Sequence, residues 1–257
     1  MANMIDTIYT MWLREIKRYL KSKSRVIGSG GQPLIWLAIF GVGFGSVVAI
    51  AGVSNYLTFM APGIMGMTLL FTSIFSGINV VWDKQFGFLK EILVAPVSRL
   101  GIVLGKIAGS TTIALINAIF ILILVVIFGV IQLSSLSVAG VVIAILFMFL
   151  ISAIFVGIGL IIGSTINNVE GFQVIVNFLV MPLFFISGAL FPITSSAPEW
   201  MRWISYIDPL SYGIDGLRGA LIGVHAYPMY LDAAVTLAFA LVFVVIAQEC
   251  FKKMQAK

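Results

Sequence analysis

Residues Ile107 to Val169 read IAGSTTIALINAIFILILVVIFGVIQLSSLSVAGVVIAILFMFLISAIFVGIGLIIGSTINNV, 63 consecutive positions without Asp, Glu, Lys or Arg. A helix needs ~20 apolar residues to cross a bilayer core. This run is therefore long enough for two spans, and the polar string Gln132-Leu133-Ser134-Ser135 is where the chain turns between them. Working outward, residues 26–82 form a second charge-free run of 57, and residues 171–198 a third of 28. A last apolar stretch follows Asp232 and stops at Glu249. Turns at Gly52-Val53-Ser54-Asn55 and Asn167-Asn168-Val169-Glu170 complete the division. The expectation is an all-α integral membrane protein with six transmembrane helices, at about residues 33–51, 57–81, 107–131, 137–163, 171–193 and 230–248. Residues 1–257 form one transmembrane domain.

Composition points the same way. The chain is 61% hydrophobic and 10% charged, against about 25% charged in a soluble domain. Cys250 is the one cysteine, so an internal disulfide is excluded, and it reads as a small buried side chain. The first apolar span begins only after some thirty residues, six of them basic, so no signal peptide is expected.

Basic residues of short loops stay on the cytoplasmic side. With six spans, Arg14, Lys17, Arg18, Lys21, Lys23, Arg25, Lys84, Lys90, Arg99, Lys106, Lys252, Lys253 and Lys257 share one side. That is 13 of the 15 Lys and Arg, and only Arg202 and Arg218 lie opposite. Both termini are expected in the cytoplasm. The same sorting accounts for the net charge of +5 without nucleic acid as a partner.

Four features are more than plain spans. Residues 4–25 carry Ile5, Ile8, Trp12, Ile16 and Tyr19 at helical spacing, with Arg14, Lys17, Arg18 and Lys21 on the other side. This is an amphipathic interfacial helix with a basic face for lipid headgroups, or a plain positive-inside anchor. Residues 83–99 hold Phe86, Phe88, Leu89, Lys90, Glu91, Ile92, Leu93 and Arg99, with Pro96 as a helix stop. The segment suits docking onto a cytoplasmic partner, and equally a loop tucked under the bundle.

The outer segment, 194–229, has Trp200, Trp203, Tyr206 and Tyr212 for the interface and a break expected at Asp208-Pro209. It either re-enters the bilayer or lies along its surface. If it re-enters, Asp208, Asp215 and Arg218 need polar partners, and an Asp215–Arg218 pair fits the i, i+3 spacing. Pro62 and Pro182 interrupt two spans, accompanied by Phe59, Phe71, Asn79, Asn177, Phe178 and Phe184. Such positions suit a path for an amphipathic substrate, and singly they also suit routine packing. Gly41/Gly45 and Gly159/Gly163 have the spacing that lets helices approach closely.

Other chemistry is not indicated. Gly101-Ile102-Val103-Leu104-Gly105-Lys106-Ile107 has three residues between its glycines rather than four, and lacks the Ser/Thr after lysine, so it is not a phosphate-binding loop. One histidine, His225, and one cysteine cannot form a His/Cys metal cluster. No catalytic residue or metal ligand is assigned. The expected spans one to five hold no ionisable Asp, Glu, Lys or Arg, which argues against ion-coupled transport. A lipid-modifying enzyme would have only Asp208, Asp215, Arg218 and His225 to work with.

Three strings resemble a known family. They are Leu89-Lys90-Glu91-Ile92-Leu93-Val94-Ala95-Pro96-Val97-Ser98-Arg99, Pro182 to Pro192 (PLFFISGALFP), and Pro198-Glu199-Trp200 followed by Asp208-Pro209-Leu210-Ser211-Tyr212 and Asp215 to Arg218. Together, and in this order, they resemble the type-2 ABC exporter permeases, a group that includes the daunorubicin-resistance permease and related drug, lipid and polysaccharide exporters. Asp208 stands where that family usually has Asn. The resemblance implies a permease paired with a second copy of itself, each copy bound to a separate ATP-binding-cassette ATPase subunit that holds ATP and magnesium. It implies a coupling helix at Phe86–Val97 with Glu91 as a polar contact, a connecting helix at the amino terminus, and an outer re-entrant cap. It also implies outward movement of a drug-like molecule or lipid between the two copies. A lipid-linked polysaccharide is the alternative cargo, and a non-transporting membrane anchor for a cytoplasmic partner the alternative role.

Overall fold

Polar residues at the turns cap the helices that the apolar runs form. The computed structural model describes residues 4–44, 55–87, 97–193 and 197–253. Its helices are α1 (Met4–Lys21), α2 (Lys23–Phe44), α3 (Tyr56–Phe75), α4 (Ile78–Gln85), α5 (Arg99–Ile127), α6 (Val138–Thr165), α7 (Val169–Ile186), α8 (Glu199–Ile207), α9 (Pro209–Ile222) and α10 (Met229–Lys253). Asn55, Ser98, Ser137, Asn168 and Asp208 each accept a backbone N–H of the first turn that follows. No strand occurs among the described residues.

Among the described residues, five helical stretches are long and apolar enough to cross a membrane: Tyr56–Gln85 (α3 with α4), Arg99–Ile127, Val138–Thr165, Val169–Ile186 and Met229–Lys253. The span expected at 33–51 falls partly outside the described residues, and its described portion is α2, with a shorter apolar helix at Val26–Gly41. Two helices run past the limits set by charge. The second expected span continues to Gln85 and the third begins at Arg99, because Asp83 and Lys106 neutralise each other inside the bundle, with Nζ 3.0 Å from Oδ2. The fifth stops at Ile186 rather than near 193, because Gly188 turns the chain at φ 76°.

Helix α6 is central, packing against α3, α4, α5, α9 and α10. Glycines set its closest approach. A Cβ on Gly77, in the turn between α3 and α4, would lie 2.0 Å from the Gly159 carbonyl oxygen, and one on Gly163 would lie 2.4 Å from that of Gly77. The Gly159/Gly163 pair is thus where α6 crosses the α3–α4 break. Gly41 faces Leu57, and Gly45 lies outside the described residues.

Helix α1 ends before Ser22 and lies on α5. Its buried face is Thr7, Met11, Glu15 and Tyr19; of the expected apolar stripe Tyr19 is buried, Ile8, Trp12 and Ile16 are half-buried and Ile5 is exposed. The reason is a glycine stripe on α5. A Cβ on Gly101, Gly105 or Gly109 would come within 3.1 Å of Thr7, 2.5 Å of Met11 or 2.7 Å of Glu15, respectively. The basic residues are not all free for headgroups either, since Arg14 and Arg18 both turn to Asp83. Cys250 is half-buried.

Candidate functional site

Glu15, Asp83 and Lys106, from α1, α4 and α5, are each about 3% exposed or less. Lys106 Nζ donates to Asp83 Oδ2 at 3.0 Å and to Glu15 Oε1 at 3.4 Å. Asp83 Oδ1 also accepts from Arg14 at 3.1 Å and Arg18 at 3.4 Å, and the Asn79 amide donates to Glu15 Oε2 at 3.2 Å. Removing one partner of such a buried ion pair costs ~3–5 kcal/mol. The cluster fixes the amino-terminal helix to both helices that flank residues 86–98. Nearby, the Tyr19 hydroxyl donates to Asn117 Oδ1 at 2.8 Å and contacts Ser29 Oγ at 2.8 Å, joining α1, α2 and α5.

A cavity of about 620 Å³ opens beside this cluster. Glu15, Tyr19, Asn79 and Trp82 line one end, and Met67 and Met181 line it farther along α3 and α7. Between them stand Ser29 and Gln32 of α2, Thr68 and Thr72 of α3, Ser76 of the turn, Ser110 of α5, and Gln173 and Asn177 of α7, with the rings of Phe71 and Phe75.

Of the expected path residues, Phe71, Asn79 and Asn177 share this cavity. Phe178 does not line it, and is 85% exposed on the outer face of α7. Phe184 is in the hydrophobic core, and Phe59 lies toward the other end of the bundle under Arg218.

The shoulders of the 83–99 segment are anchored. Lys84 Nζ donates to the carbonyls of Ser164 and, at 3.1 Å, Ile166 at the carboxyl end of α6. Gln85 Nε2 donates to the Asn167 carbonyl at 3.3 Å. Arg99 donates to the Lys252 carbonyl at the end of α10. Cations at helix carboxyl termini face the negative end of the dipole. Phe86 is 72% exposed. Phe88, Leu89, Lys90, Glu91 and Pro96 lie outside the described residues.

At the opposite end, α8 and α9 meet at Asp208, as the proline predicts. Asp208 accepts the Leu210 N–H at 2.9 Å and the Ser211 hydroxyl at 3.4 Å. Burial pushes its carboxyl up to about 7 against these two hydrogen bonds. Asp215 and Arg218 are buried but do not pair at i, i+3. Asp215 accepts the N–H groups of Ala226 and Tyr227 at 2.8 and 2.9 Å. Arg218 donates to the carbonyls of Phe59 at 3.3 Å and Gly188 at 3.0 Å, and its guanidinium lies 3.7 Å from the Phe59 ring centroid. Gly188, Ala226 and Tyr227 lie in turns whose backbone groups have no helical partner, and they took these side chains, while the Phe59 carbonyl belongs to the first turns of α3. Trp200 is exposed on α8. Asp215, Arg218 and His225 line a cavity of about 360 Å³ that Asp208 does not reach. The acid and base there are held as ties between segments, an arrangement that builds structure rather than a reactive centre.

Glu15, Asp83, Lys106, Gln173 and Lys84 carry much of this geometry without standing out as site residues in the sequence. A usable signal was present: Gly101, Gly105 and Gly109 repeat at four-residue spacing, and so do Thr7, Met11, Glu15 and Tyr19. Two such stripes fit face to face.

The chain is similar to known transport permeases. The putative transport permease ycf38 of Cyanophora paradoxa is 31% identical over 190 residues, which cover 73% of this chain and 64% of that protein. The chain thus spans somewhat under two thirds of that relative's length. The inner membrane transport permease YadH of Escherichia coli K12 is 23% identical over 92% of this chain and 91% of its own. Nodulation protein J of Rhizobium leguminosarum bv. trifolii is 27% identical over 83% of this chain and 80% of its own. Residues 6–222, from the amino-terminal helix on its glycine stripe to the end of α9, match the family described as ABC-2 type transporter, and the chain belongs to that family of transport permeases.

Proposed function

We propose that this chain is the membrane-spanning subunit of an ATP-driven exporter, moving a hydrophobic or amphipathic substrate, drug-like or lipid, out across the cytoplasmic membrane. In this reading it crosses six times, α2 continuing as the first span, with both termini cytoplasmic. ATP and magnesium are held by a separate ATPase subunit of the kind with which the family normally pairs. The 83–99 segment, including Phe86, Phe88, Leu89, Lys90, Glu91, Pro96 and Arg99, is its docking element. A second copy faces the exposed apolar side of α7, where Val174 and Phe178 follow the cavity-lining Gln173 and Asn177 in sequence.

One observation carries the reading. The buried Glu15–Lys106–Asp83 cluster joins α1 to the two helices that flank the docking segment, and Glu15 with its partner Asn79 also lines the 620 Å³ cavity. A load on that segment therefore reaches the cavity wall through contacts a few ångströms long. The sequence holds no P-loop motif, which fits a reading in which a partner hydrolyses the ATP.

The test is purification of the chain from its native membranes in mild detergent, with co-purifying proteins identified. A stoichiometric ATPase, lost or weakened when Phe88→Ala or Glu91→Ala is introduced without loss of membrane insertion, is the expected result. Recovery with no ATPase, under conditions that keep other membrane complexes whole, would favour a membrane anchor over an exporter.

A further inference from the structure

The cavity's lining is mostly apolar, and the polar groups set into it carry no free charge among the described residues, which bears on what it holds. Glu15 is the one Asp, Glu, Lys or Arg among its described lining residues, and Lys106 and Asn79 already occupy its two oxygens. Lys106, Arg14 and Arg18 stand behind Glu15 and Asp83 and do not line the space. The remaining polar groups are amides and hydroxyls. The side chains of Gln32, Thr72, Gln173 and Asn177 line the cavity and make no hydrogen bond among the described residues, and neither do Ser76 Oγ and Asn79 Oδ1, which are buried.

Their placement is regular. Thr68, Thr72 and Ser76 follow at four-residue spacing along α3 and its turn, and Gln173 and Asn177 do so on α7. Amides are costly on helices otherwise made of Val, Ile, Phe and Met, because apolar surroundings leave them without partners. Phe71 and Phe75 add ring faces, and Met67 and Met181 an apolar extension.

We propose that this cavity selects an amphipathic molecule whose head is uncharged and rich in hydroxyl or amide groups, such as a glycosyl or polyol head, over cationic or anionic amphiphiles. The proposal rests on reading the cavity as the transport site. Unpaired amides and hydroxyls supply donors and acceptors to such a head, the aromatic faces cover its apolar C–H surfaces, and the methionines receive the start of the tail. Among the described lining residues a cation would find no free carboxylate and an anion no free guanidinium or ammonium. Either would give up its hydration without a counter-charge, the costliest exchange available to it.

The test uses the purified chain in nanodiscs of zwitterionic lipid and three probes that share one fluorescent alkyl tail. Their heads are a disaccharide, a trimethylammonium and a sulfate. The expected result is saturable binding of the disaccharide probe, weakened about tenfold or more by the Gln173→Leu/Asn177→Leu double variant through loss of two or more hydrogen bonds. A second variant, Asn177→Asp, places a free charge in the cavity and is expected to shift preference toward the trimethylammonium probe. Equal or tighter binding of a charged probe by the unaltered chain overturns the proposal, as does binding of none.

Transport is read separately, with the complete permease–ATPase complex in proteoliposomes. Selective disaccharide binding without ATP-driven movement supports the site's chemistry and defeats the exporter reading. Equal ATP-driven movement of all three probes does the reverse.

Discussion

Asp208 shows how one residue's environment decides its chemistry. Its place before Pro209 makes a helix break readable from sequence, because a residue preceding proline avoids the helical region. Its burial was not readable, since that depends on how α8 and α9 fold back on the bundle. In the structure it is 1% exposed and caps α9. A carboxyl pushed up to about 7 by burial holds its proton more tightly folded than unfolded. Its contribution to stability is therefore present in full below the unfolded value near 4 and is lost as pH rises through 7. Asparagine keeps the cap and cannot ionise. The melting midpoint of the detergent-purified protein should fall by several degrees between pH 5 and pH 8, and Asp208→Asn should remove most of that fall. Parallel pH profiles for the two proteins would show that the carboxyl is not the source.

Helices were legible as far as charge and periodicity report burial in lipid. The turns at Ser134–Ser135 and Asn168 stand where the polar strings put them, and α3 starts directly after Asn55, the rest of that string lying outside the described residues. Helix ends near Asp83 and Lys106 were not legible, because two opposite charges 23 positions apart become one neutral unit only after folding. The packing face of α1 was hidden for a related reason: a hydrophobic stripe marks lipid as readily as protein, whereas glycines mark only close backbone approach. Gly105 is the sharpest case, since its Cβ would sit 2.5 Å from Met11 Cβ and 2.8 Å from the Ile8 carbonyl oxygen. Gly105→Val should lift α1 and cost about 1–3 kcal/mol through overpacking. The displacement can be read with cysteines at Thr7 and Gly101, where a Cβ at 101 would lie 3.1 Å from that of Thr7, a few tenths of an ångström inside the usual span of a disulfide, so that a small shift lets the bond form. In a Cys250→Ser background this pair should oxidise readily, and adding Gly105→Val should slow it. Unchanged oxidation would mean that α1 does not depend on the glycine stripe.

Across the whole molecule, residues 83–99 connect to more of the bundle than their own two helices. Lys84 and Gln85 hold the Ser164–Asn167 stretch between α6 and α7, and Arg99 holds the end of α10. The α7 residues Gln173 and Asn177 lie within three turns of that stretch and line the cavity. On the exporter reading, an ATPase pushing on this segment acts directly on α4 and α5, and through Lys84 on the hinge that carries α7. None of this could be read from sequence, because each acceptor is a backbone carbonyl and every residue has one. Lys84→Met keeps the length and apolar stem of the side chain but removes its donors. The variant should still assemble with its ATPase and hydrolyse ATP, while transport in proteoliposomes falls about tenfold, within the usual range of coupling energies. Lys84→Arg should restore it, since a guanidinium can reach the same carbonyls. Transport at the unaltered rate in Lys84→Met would leave α4 and α5 as the only route from the segment to the cavity. A parallel loss of transport and ATPase binding would instead make Lys84 part of the docking surface.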